Sequence, residues 1–234
     1  PPQGGGQARV FHLYSKAARS FDVTILSFGH PHGETEIAPG LREIRFGKSP
    51  EHGRFERRLI EATGGIPTGD VAMPRLSILS PQYRAALREA ARDADALIAC
   101  HPYLIDELDA VSRGQPLWYE AQDVELSLKR DVFKDFEGKD VILADVAAVE
   151  ERCWRKAALV FGCTERDLDE LRALYGPTEA VVVEVPNGVA LDETPFTAPA
   201  ERRARKRALG LEGRRTALFL GSWHPPNLDA VAFI

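Results

Sequence analysis

Short apolar runs recur along this chain. Glycine or polar residues follow almost every one at once, and helix-like segments lie between them. Strand-like runs lie at 95–100, 116–120, 157–162 and 180–185, and the last is rich in β-branched residues. Strands that alternate with helices are typical of a parallel sheet with helices packed on it, and buried parallel strands favour β-branched residues. The sequence therefore predicts an α/β fold with a doubly wound parallel sheet.

The other segments fit the same scheme. The spacing of apolar residues predicts a helix over 7–19, and residues 21–28 and 43–46 are predicted strands. Residues 47–80 contain several prolines and glycines, which favour a loop with short helices. Beyond 200 we expect a basic helix, a strand at 216–221 and a helix from 227.

Composition narrows the class of partner. A net charge of −5 argues against nucleic acid as the main ligand, and no apolar run approaches the roughly 20 residues that span a bilayer. Cys100, Cys153 and Cys163 are odd in number and form no C-x-x-C pair, which favours buried free thiols in a reducing cytoplasm.

A glycine cluster, Gly4–Gly6 followed by Gln7, stands directly before the first predicted helix. Free N–H groups and the helix dipole attract phosphate at such a position, and glycine lets a ligand approach the backbone closely. The cluster is neither G-x-G-x-x-G nor a P-loop, and the alternative interpretation is a flexible chain end.

Polar residues at strand ends are the other candidates, since ligands of open α/β sheets bind at the carboxyl ends of strands. His101 follows the 95–100 strand and could hydrogen-bond a hydroxyl or phosphate, shuttle a proton, or cap the next helix. Four polar residues at the end of the 116–120 strand could bind sugar hydroxyls, pair with cations or form the acidic start of a helix: Glu120, Gln122, Asp123 and Glu125. His30 is interpreted as a loop histidine near the site, without metal.

Five short motifs occur in an order similar to that of the retaining glycosyltransferases of the GT-B fold, family 4. They are the glycine loop at 2–9, the helix and strand at 149–160 with Cys-Thr-Glu at 163–165, Val-Pro-Asn-Gly-Val at 185–189, Phe-Leu-Gly-Ser-Trp at 219–223 and the segment 225–230. Together they cover nearly the whole chain.

The resemblance implies two Rossmann-like domains with the active site in the cleft between them. Residues 1–190 would form the acceptor-binding domain without its first strand, 191–214 an interdomain linker and helix, and 215–234 the first strand and helix of the donor-binding domain. We therefore expect a GT-B enzyme truncated at both ends, inactive as this chain alone.

The resemblance also assigns site residues. His101 would be catalytic, near the transferred sugar. The donor phosphate or sugar would contact Gly4, Gly5, Gly6, Gln7, Gly221 and Ser222. The acceptor would contact His30, Tyr103, Gln122, Asp123 and Asn187.

The expected partners are a nucleotide-sugar donor, which is a substrate rather than a cofactor, and a sugar, lipid-linked or small-molecule acceptor. No cofactor, metal or nucleic acid is expected, and peripheral association with a membrane is left open. Two alternatives have the same fold: a non-catalytic module that binds sugars or nucleotides, and a nucleotide-sugar epimerase.

Overall fold

A computed structural model describes residues 4–191, 194–221 and 225–234. The chain divides into two compact units, Pro1–Asn187 and Gly188–Ile234. The elements of the first unit are α1 (Gly5–Ala17), β1 (Val23–Phe28), β2 (Gly33–Ala38), β3 (Leu41–Phe46), α2 (Pro50–Ala62), α3 (Met73–Leu76), α4 (Pro81–Ala90), β4 (Leu97–Cys100), α5 (Ile105–Val111), β5 (Leu117–Ala121), α6 (Glu125–Val132), α7 (Lys139–Lys156), β6 (Leu159–Gly162), α8 (Glu165–Tyr175) and β7 (Val181–Glu184). The described part of the second unit contains α9 (Pro199–Ala208) and α10 (Pro225–Phe233).

A four-stranded sheet in the order β4-β5-β6-β7 has all its strands parallel. Ala99, Tyr119, Val160 and Val182 lie side by side in its register. Helices flank this sheet, so the predicted α/β class with a parallel sheet is confirmed. Because the strands are parallel, the polar residues that follow them meet at one edge.

A separate three-stranded sheet has the order β1-β3-β2. β1 is parallel to β3, whereas β2 pairs antiparallel with it. Strand β2 was not predicted from the sequence, because its exposed Glu34 and Glu36 hide the apolar alternation. Charged residues are frequent on such edge strands.

The core contains residues of the four-stranded sheet and of several helices, and α7 contributes the largest fully buried side chain, Trp154. Val146, Val149, Cys153 and Trp154 on α7 are buried, and Trp154 Nε1 donates a hydrogen bond of 2.9 Å to the Gly176 carbonyl. This contact ties the end of α7 to the residue after α8. The three cysteines are free, as expected. Cys153 and Cys163 are buried, but Cys100 is exposed at the end of β4, so the prediction of buried thiols is wrong for Cys100.

Two segments differ from the predictions. Residues 47–80 hold a full helix, α2, where a loop with short helices was expected. Ser49 caps it by accepting the His52 N–H at 3.1 Å, and Pro50 lies in its first turn, where proline starts a helix rather than breaking it. The strand expected at 216–221 is absent, since those residues pair with no strand among the described residues.

Nowhere in the described ranges is there a helix with both the length and the apolar character that a bilayer crossing requires.

The N-cap of α8 offers a test of the fold. In the sequence, Thr164 and Asp167 stand where an N-cap residue and its N3 partner would, which predicts a helix start here. In the structure Thr164 Oγ1 accepts the Asp167 N–H at 3.1 Å. Thr164→Ala should lower the free energy of unfolding by about 1 kcal/mol, because one backbone donor loses its partner. Thr164→Ser keeps the acceptor and should change that free energy by less than about 0.5 kcal/mol in urea denaturation. Equal losses in both variants would contradict the capping role.

Candidate functional site

The glycine cluster forms the amino end of α1, with Gly4 as its N-cap. No glycine of the cluster has a positive φ, so the backbone conformation alone does not require glycine there. A Cβ on Gly6 would lie 2.9 Å from Oε1 of Gln122, whereas a Cβ on Gly4 or Gly5 would meet no atom within 4 Å. Gly6 therefore lets α1 approach the carboxyl end of β5, while Gly4 and Gly5 leave open space beside the helix start.

His101 adopts a strained backbone conformation directly after β4. Its φ of 68° makes it the one non-glycine residue with a positive φ in the described ranges. Such a conformation costs about 1–3 kcal/mol and is concentrated at functional sites. The His101 N–H donates to the Glu120 carbonyl at 3.3 Å, which continues the ladder between β4 and β5. The chain thus turns sharply at this residue and directs its ring away from the strand.

The ring of His101 pairs with Glu125, the first residue of α6. Nδ1 lies 2.7 Å from Oε1 of Glu125, and the Tyr103 hydroxyl donates to Oε2 at 2.5 Å. The Glu125 side chain is 3% exposed, whereas that of His101 is 36% exposed. The Nε2 atom of His101 has no hydrogen-bond partner among the described residues. The Nδ1 atom of the imidazole is therefore held by a buried carboxylate, whereas the Nε2 atom is accessible to a ligand.

The electrostatics of the pair favour an ion pair. Burial acts to lower the pKa of His101, but the hydrogen bond to Glu125 and the charges of Glu125 and Asp123 raise it above its ordinary value. Burial acts to raise the pKa of Glu125, but the hydrogen bonds from His101 and Tyr103 hold it below its ordinary value. The carboxylate accepts from Nδ1, so it fixes the proton on that nitrogen.

Glu150 on α7 holds the beginning of α6 in place. Its fully buried carboxyl accepts the backbone N–H groups of Glu125 at 2.6 Å and Leu126 at 3.1 Å, and the Tyr175 hydroxyl at 2.6 Å. Burial raises the pKa of Glu150 despite these hydrogen bonds. Because Glu125 is the first residue of α6, the contact that fixes this helix end also fixes the partner of His101.

A third buried carboxylate, that of Glu120, attaches α1 to the sheet. Arg9 Nε donates to Oε1 of Glu120 at 3.0 Å, and the Tyr14 hydroxyl donates to Oε2 at 2.6 Å. Arg9 Nη1 also donates to Oδ1 of Asn187 at 3.0 Å. Burial, followed by the charge of Glu120, raises the pKa of Tyr14, so its hydroxyl remains a donor. The amino half of α1 is thereby joined to the carboxyl end of β5 and to the loop after β7.

Several predicted residues come together at this edge of the four-stranded sheet. Gln122 is buried next to Gly6, and its Nε2 donates to Sγ of Cys100 at 3.2 Å, directly before His101. Gly4, Gly6, Gln7, His30, His101 and Gln122 line the same large cavity. Asn187 is connected to α1 through Arg9.

Other predicted residues have different surroundings. Tyr103 is buried and its hydroxyl donates to Glu125, so it supports the site from within. Asp123 lies at the surface with its carboxyl partly desolvated, and this partial desolvation, together with the charge of Glu125, raises its pKa. Gly221 belongs to the unit Gly188–Ile234, where it lies beside Asn227. Ser222 lies outside the described residues.

No role was predicted for Arg9, Tyr14 or Glu150. Glu120 and Glu125 were predicted to bind sugar hydroxyls, to pair with cations or to form the acidic start of a helix. In the structure Glu120 pairs with Arg9, and Glu125 pairs with His101. Glu150 carried a detectable signal, because it lies on the apolar stripe of α7 between buried Val149 and Cys153. A charged residue on such a stripe must be paired or hydrogen-bonded. In the described ranges no group of three His, Cys, Asp or Glu side chains is placed to hold a metal ion.

Comparisons with protein-family models, curated proteins and solved structures find no match to this chain.

The pairing of His101 with Glu125 predicts a pH dependence. The pKa of His101 should lie above its ordinary value of 6.5. Protonated His101 then stabilises the fold fully below about pH 6.5, and this contribution is lost as the pH rises through the folded-state pKa. Glu125→Gln should lower the pKa of His101, because burial remains while the counter-charge is removed. Titration of the histidine ring resonances by NMR measures both values.

The matched control is Glu61→Gln, which neutralises an exposed acid at the end of α2. This variant should leave the titration of His101 unchanged. A His101 pKa that does not move in Glu125→Gln would show that the carboxylate does not control the ring.

Proposed function

We propose that this chain forms the acceptor-binding half of a retaining glycosyltransferase with the GT-B arrangement, family 4, together with the start of its donor-binding domain. In this proposal the four-stranded sheet belongs to a doubly wound Rossmann-like domain over 1–190. The intact enzyme transfers a sugar from a nucleotide-sugar donor to a sugar, lipid-linked or small-molecule acceptor in the cytoplasm.

The observation that carries the proposal is the position of His101. It stands on a strained backbone at a strand's carboxyl end, with Nδ1 on a buried carboxylate and Nε2 accessible. Gln122 connects it to the glycine start of α1, since its side chain touches both Gly6 and Cys100. A hydrogen-bond donor and the glycine start of α1 therefore border the same cavity.

In the proposed reaction, the backbone amides at the start of α1 bind the phosphate of the donor substrate. The first turn of a helix has N–H groups without helical partners, and the dipole favours negative charge there. Open space beside Gly4 and Gly5 allows a phosphate to approach these amides directly. In the proposed reaction they stabilise the charge that builds on the leaving phosphate of the donor.

In the proposed reaction, His101 supplies a hydrogen-bond donor for a sugar hydroxyl. With its proton on Nδ1 directed to Glu125, the protonated ring donates from Nε2 to a hydroxyl of the transferred sugar or of the acceptor. The raised pKa of His101 favours this protonated form. Gln122, Asp123 and Asn187 remain the proposed acceptor contacts, and the proposal requires no metal or cofactor.

A transfer assay on the protein encoded by the whole parent reading frame tests the role of His101. His101→Asn keeps a residue that tolerates positive φ but removes the cationic donor. Turnover should fall by about 100-fold or more, the loss typical of a donor to developing charge. His12→Asn changes an exposed histidine on α1 and should leave turnover unchanged.

The same assay separates the alternatives. Unchanged turnover in His101→Asn would remove the catalytic role. Binding of nucleotide sugars without transfer to any acceptor would favour the non-catalytic module. Conversion of a nucleotide sugar in the absence of acceptor would favour the epimerase.

Gly5→Ala should weaken ligand binding without lowering the stability of the protein. Alanine favours a helix over glycine by up to about 1 kcal/mol, so the variant should be as stable as the parent protein or more stable. Its methyl group occupies the space beside the amides and should weaken nucleotide-sugar binding. Thermal unfolding and calorimetric titration measure the two effects.

Gly53→Ala is the matched control, because Gly53 lies within α2 and a Cβ there makes an ordinary contact of 3.5 Å with Arg57. It should raise stability without changing binding. Binding by Gly5→Ala equal to that of the parent protein would contradict phosphate contact at the α1 amides.

A further inference from the structure

Lys129 is a buried cation close to the pair formed by His101 and Glu125. It lies on α6, one turn after Glu125, and only 8% of the residue is exposed. Its Nζ donates to Oδ2 of Asp70 at 2.5 Å and lies 3.8 Å from Oε2 of Glu125. A buried charge is costly unless it is paired, so these two carboxylates hold the ammonium in place.

The ring of Tyr103 also contacts Lys129. Nζ of Lys129 lies 5.8 Å from the centre of this ring, within the range of a cation–π contact. The Tyr103 hydroxyl donates to Oε2 of Glu125 at 2.5 Å, and this is the oxygen that Lys129 approaches. Oε1 of the same carboxylate faces His101. A change of charge at Lys129 therefore acts on the carboxylate that holds the His101 proton.

Asp70 belongs to the segment between α2 and α3. Its carbonyl accepts the Met73 N–H at 2.9 Å, which fixes the residue at the start of α3. The preceding Gly69 packs on α2, because a Cβ there would lie 2.8 Å from Oε1 of Glu56. The Asp70 side chain is 41% exposed. Its carboxylate is thus in contact with solvent as well as with the buried ammonium of Lys129.

Four charged side chains form one row of alternating sign. The row begins with protonated His101 and Glu125, and it continues with Lys129 and ends with Asp70. Each charge in such a row is stabilised by its direct neighbours and opposed by the charge beyond them. Lys129 competes with His101 for Glu125, and Asp70 reduces this competition because it draws the ammonium toward itself. The row connects the start of α3 to the imidazole at the end of β4.

Other titratable groups surround the row. They come from the loop after β4, from β5 and the residues that follow it, and from α7: Tyr103, Tyr119, Glu120, Asp123 and Glu150. Burial acts to raise the pKa of Glu125, whereas the hydrogen bonds from His101 and Tyr103 and the charge of Lys129 hold it below its ordinary value. Lys129 therefore helps to keep the buried carboxylate ionised.

We propose that Lys129 is a positioning residue for His101. It divides its charge between Glu125 and Asp70, and this division sets how firmly Glu125 holds the proton on Nδ1 of His101. The segment between α2 and α3 thereby acts on the imidazole without contacting it. As a role in catalysis the proposal rests on the proposed transferase function, whereas the charge link itself is measured without a substrate.

The proposal predicts shifts of opposite sign in two variants. Lys129→Met removes the cation that competes for Glu125, so the pKa of His101 should rise by about 0.3–1 pH unit. Asp70→Asn leaves Lys129 charged but releases it toward Glu125, so the pKa of His101 should fall by about 0.3 pH unit or more. Titration of the His101 ring resonances by NMR measures both values. A purely structural role of the two residues gives no reason for opposite signs.

The double variant Asp70→Asn/Lys129→Met tests whether Asp70 acts through Lys129. The effect of Asp70→Asn should be at most about half as large in the Lys129→Met background as in the parent protein. Lys129→Arg keeps a cation on α6, so its His101 pKa should stay closer to the parent value. Asp70→Asn and Lys129→Arg keep the proposal testable if Lys129→Met fails to fold. Lys16→Met is the matched control, since it removes an exposed lysine from the last turn of α1 and should change nothing.

The pH dependence of turnover extends the test to the proposed reaction. His101 acts there in its protonated form, so turnover should fall as the pH rises through the pKa of His101. In the protein encoded by the whole parent reading frame, Lys129→Met should move this fall to higher pH and Asp70→Asn to lower pH. A fall that stays in place while the NMR values move would remove the role in catalysis. Absence of transfer in the parent protein would be a failure of the proposed function, and the NMR titrations alone would then decide the charge link.

Three results would overturn the charge link. One is a His101 pKa that moves in the same direction in Lys129→Met and in Asp70→Asn. Another is a His101 pKa that moves no further in Lys129→Met than in Lys16→Met. The third is an effect of Asp70→Asn that is equally large with and without Lys129, which would show that Asp70 acts on the imidazole directly.

Discussion

The buried carboxyl of Glu150 is the contact on which the rest of the site depends. It takes the two backbone amides at the start of α6, and the Tyr175 hydroxyl as well. A helix end buried without such an acceptor would leave unpaired donors in the core. Since α6 begins with Glu125, the position of this helix end sets the carboxylate that holds His101. A positive φ at His101 persists because these neighbours fix the ring and the strand ladder fixes the backbone.

Two buried glutamates therefore have separate structural roles at one edge of the sheet. Glu125 orients His101, and Glu120 draws α1 toward β5 through Arg9 and Tyr14. Gly6 makes that approach sterically feasible because a side chain there would meet Gln122. The arrangement places the glycine start of α1 and the imidazole of His101 on the wall of one cavity. This combination suits a reaction in which negative charge grows on one group while a neighbouring hydroxyl is held.

Local patterns in the sequence were enough for the parallel strands, the Thr164 cap and the position of His101 at a strand end. These features depend on residue spacing alone. The strand β2 and the helix α2 were missed, because charged edge residues and Pro50 hid them. The pairing of His101 with Glu125, 24 residues away, requires the tertiary structure. Glu150 could have been noticed as a charge on an apolar stripe, but its partners on α6 could not.

The most direct test of the account is to follow the His101 ring by NMR while a nucleotide sugar is added to the protein encoded by the whole parent reading frame. The account predicts that one class of nucleotide sugar shifts the His101 resonances, and that Glu125→Gln abolishes or strongly reduces this shift. The exposed His12 ring on α1 serves as the reference and should not respond. Binding that leaves the His101 resonances unmoved would contradict the central claim, because the ligand site would then lie elsewhere.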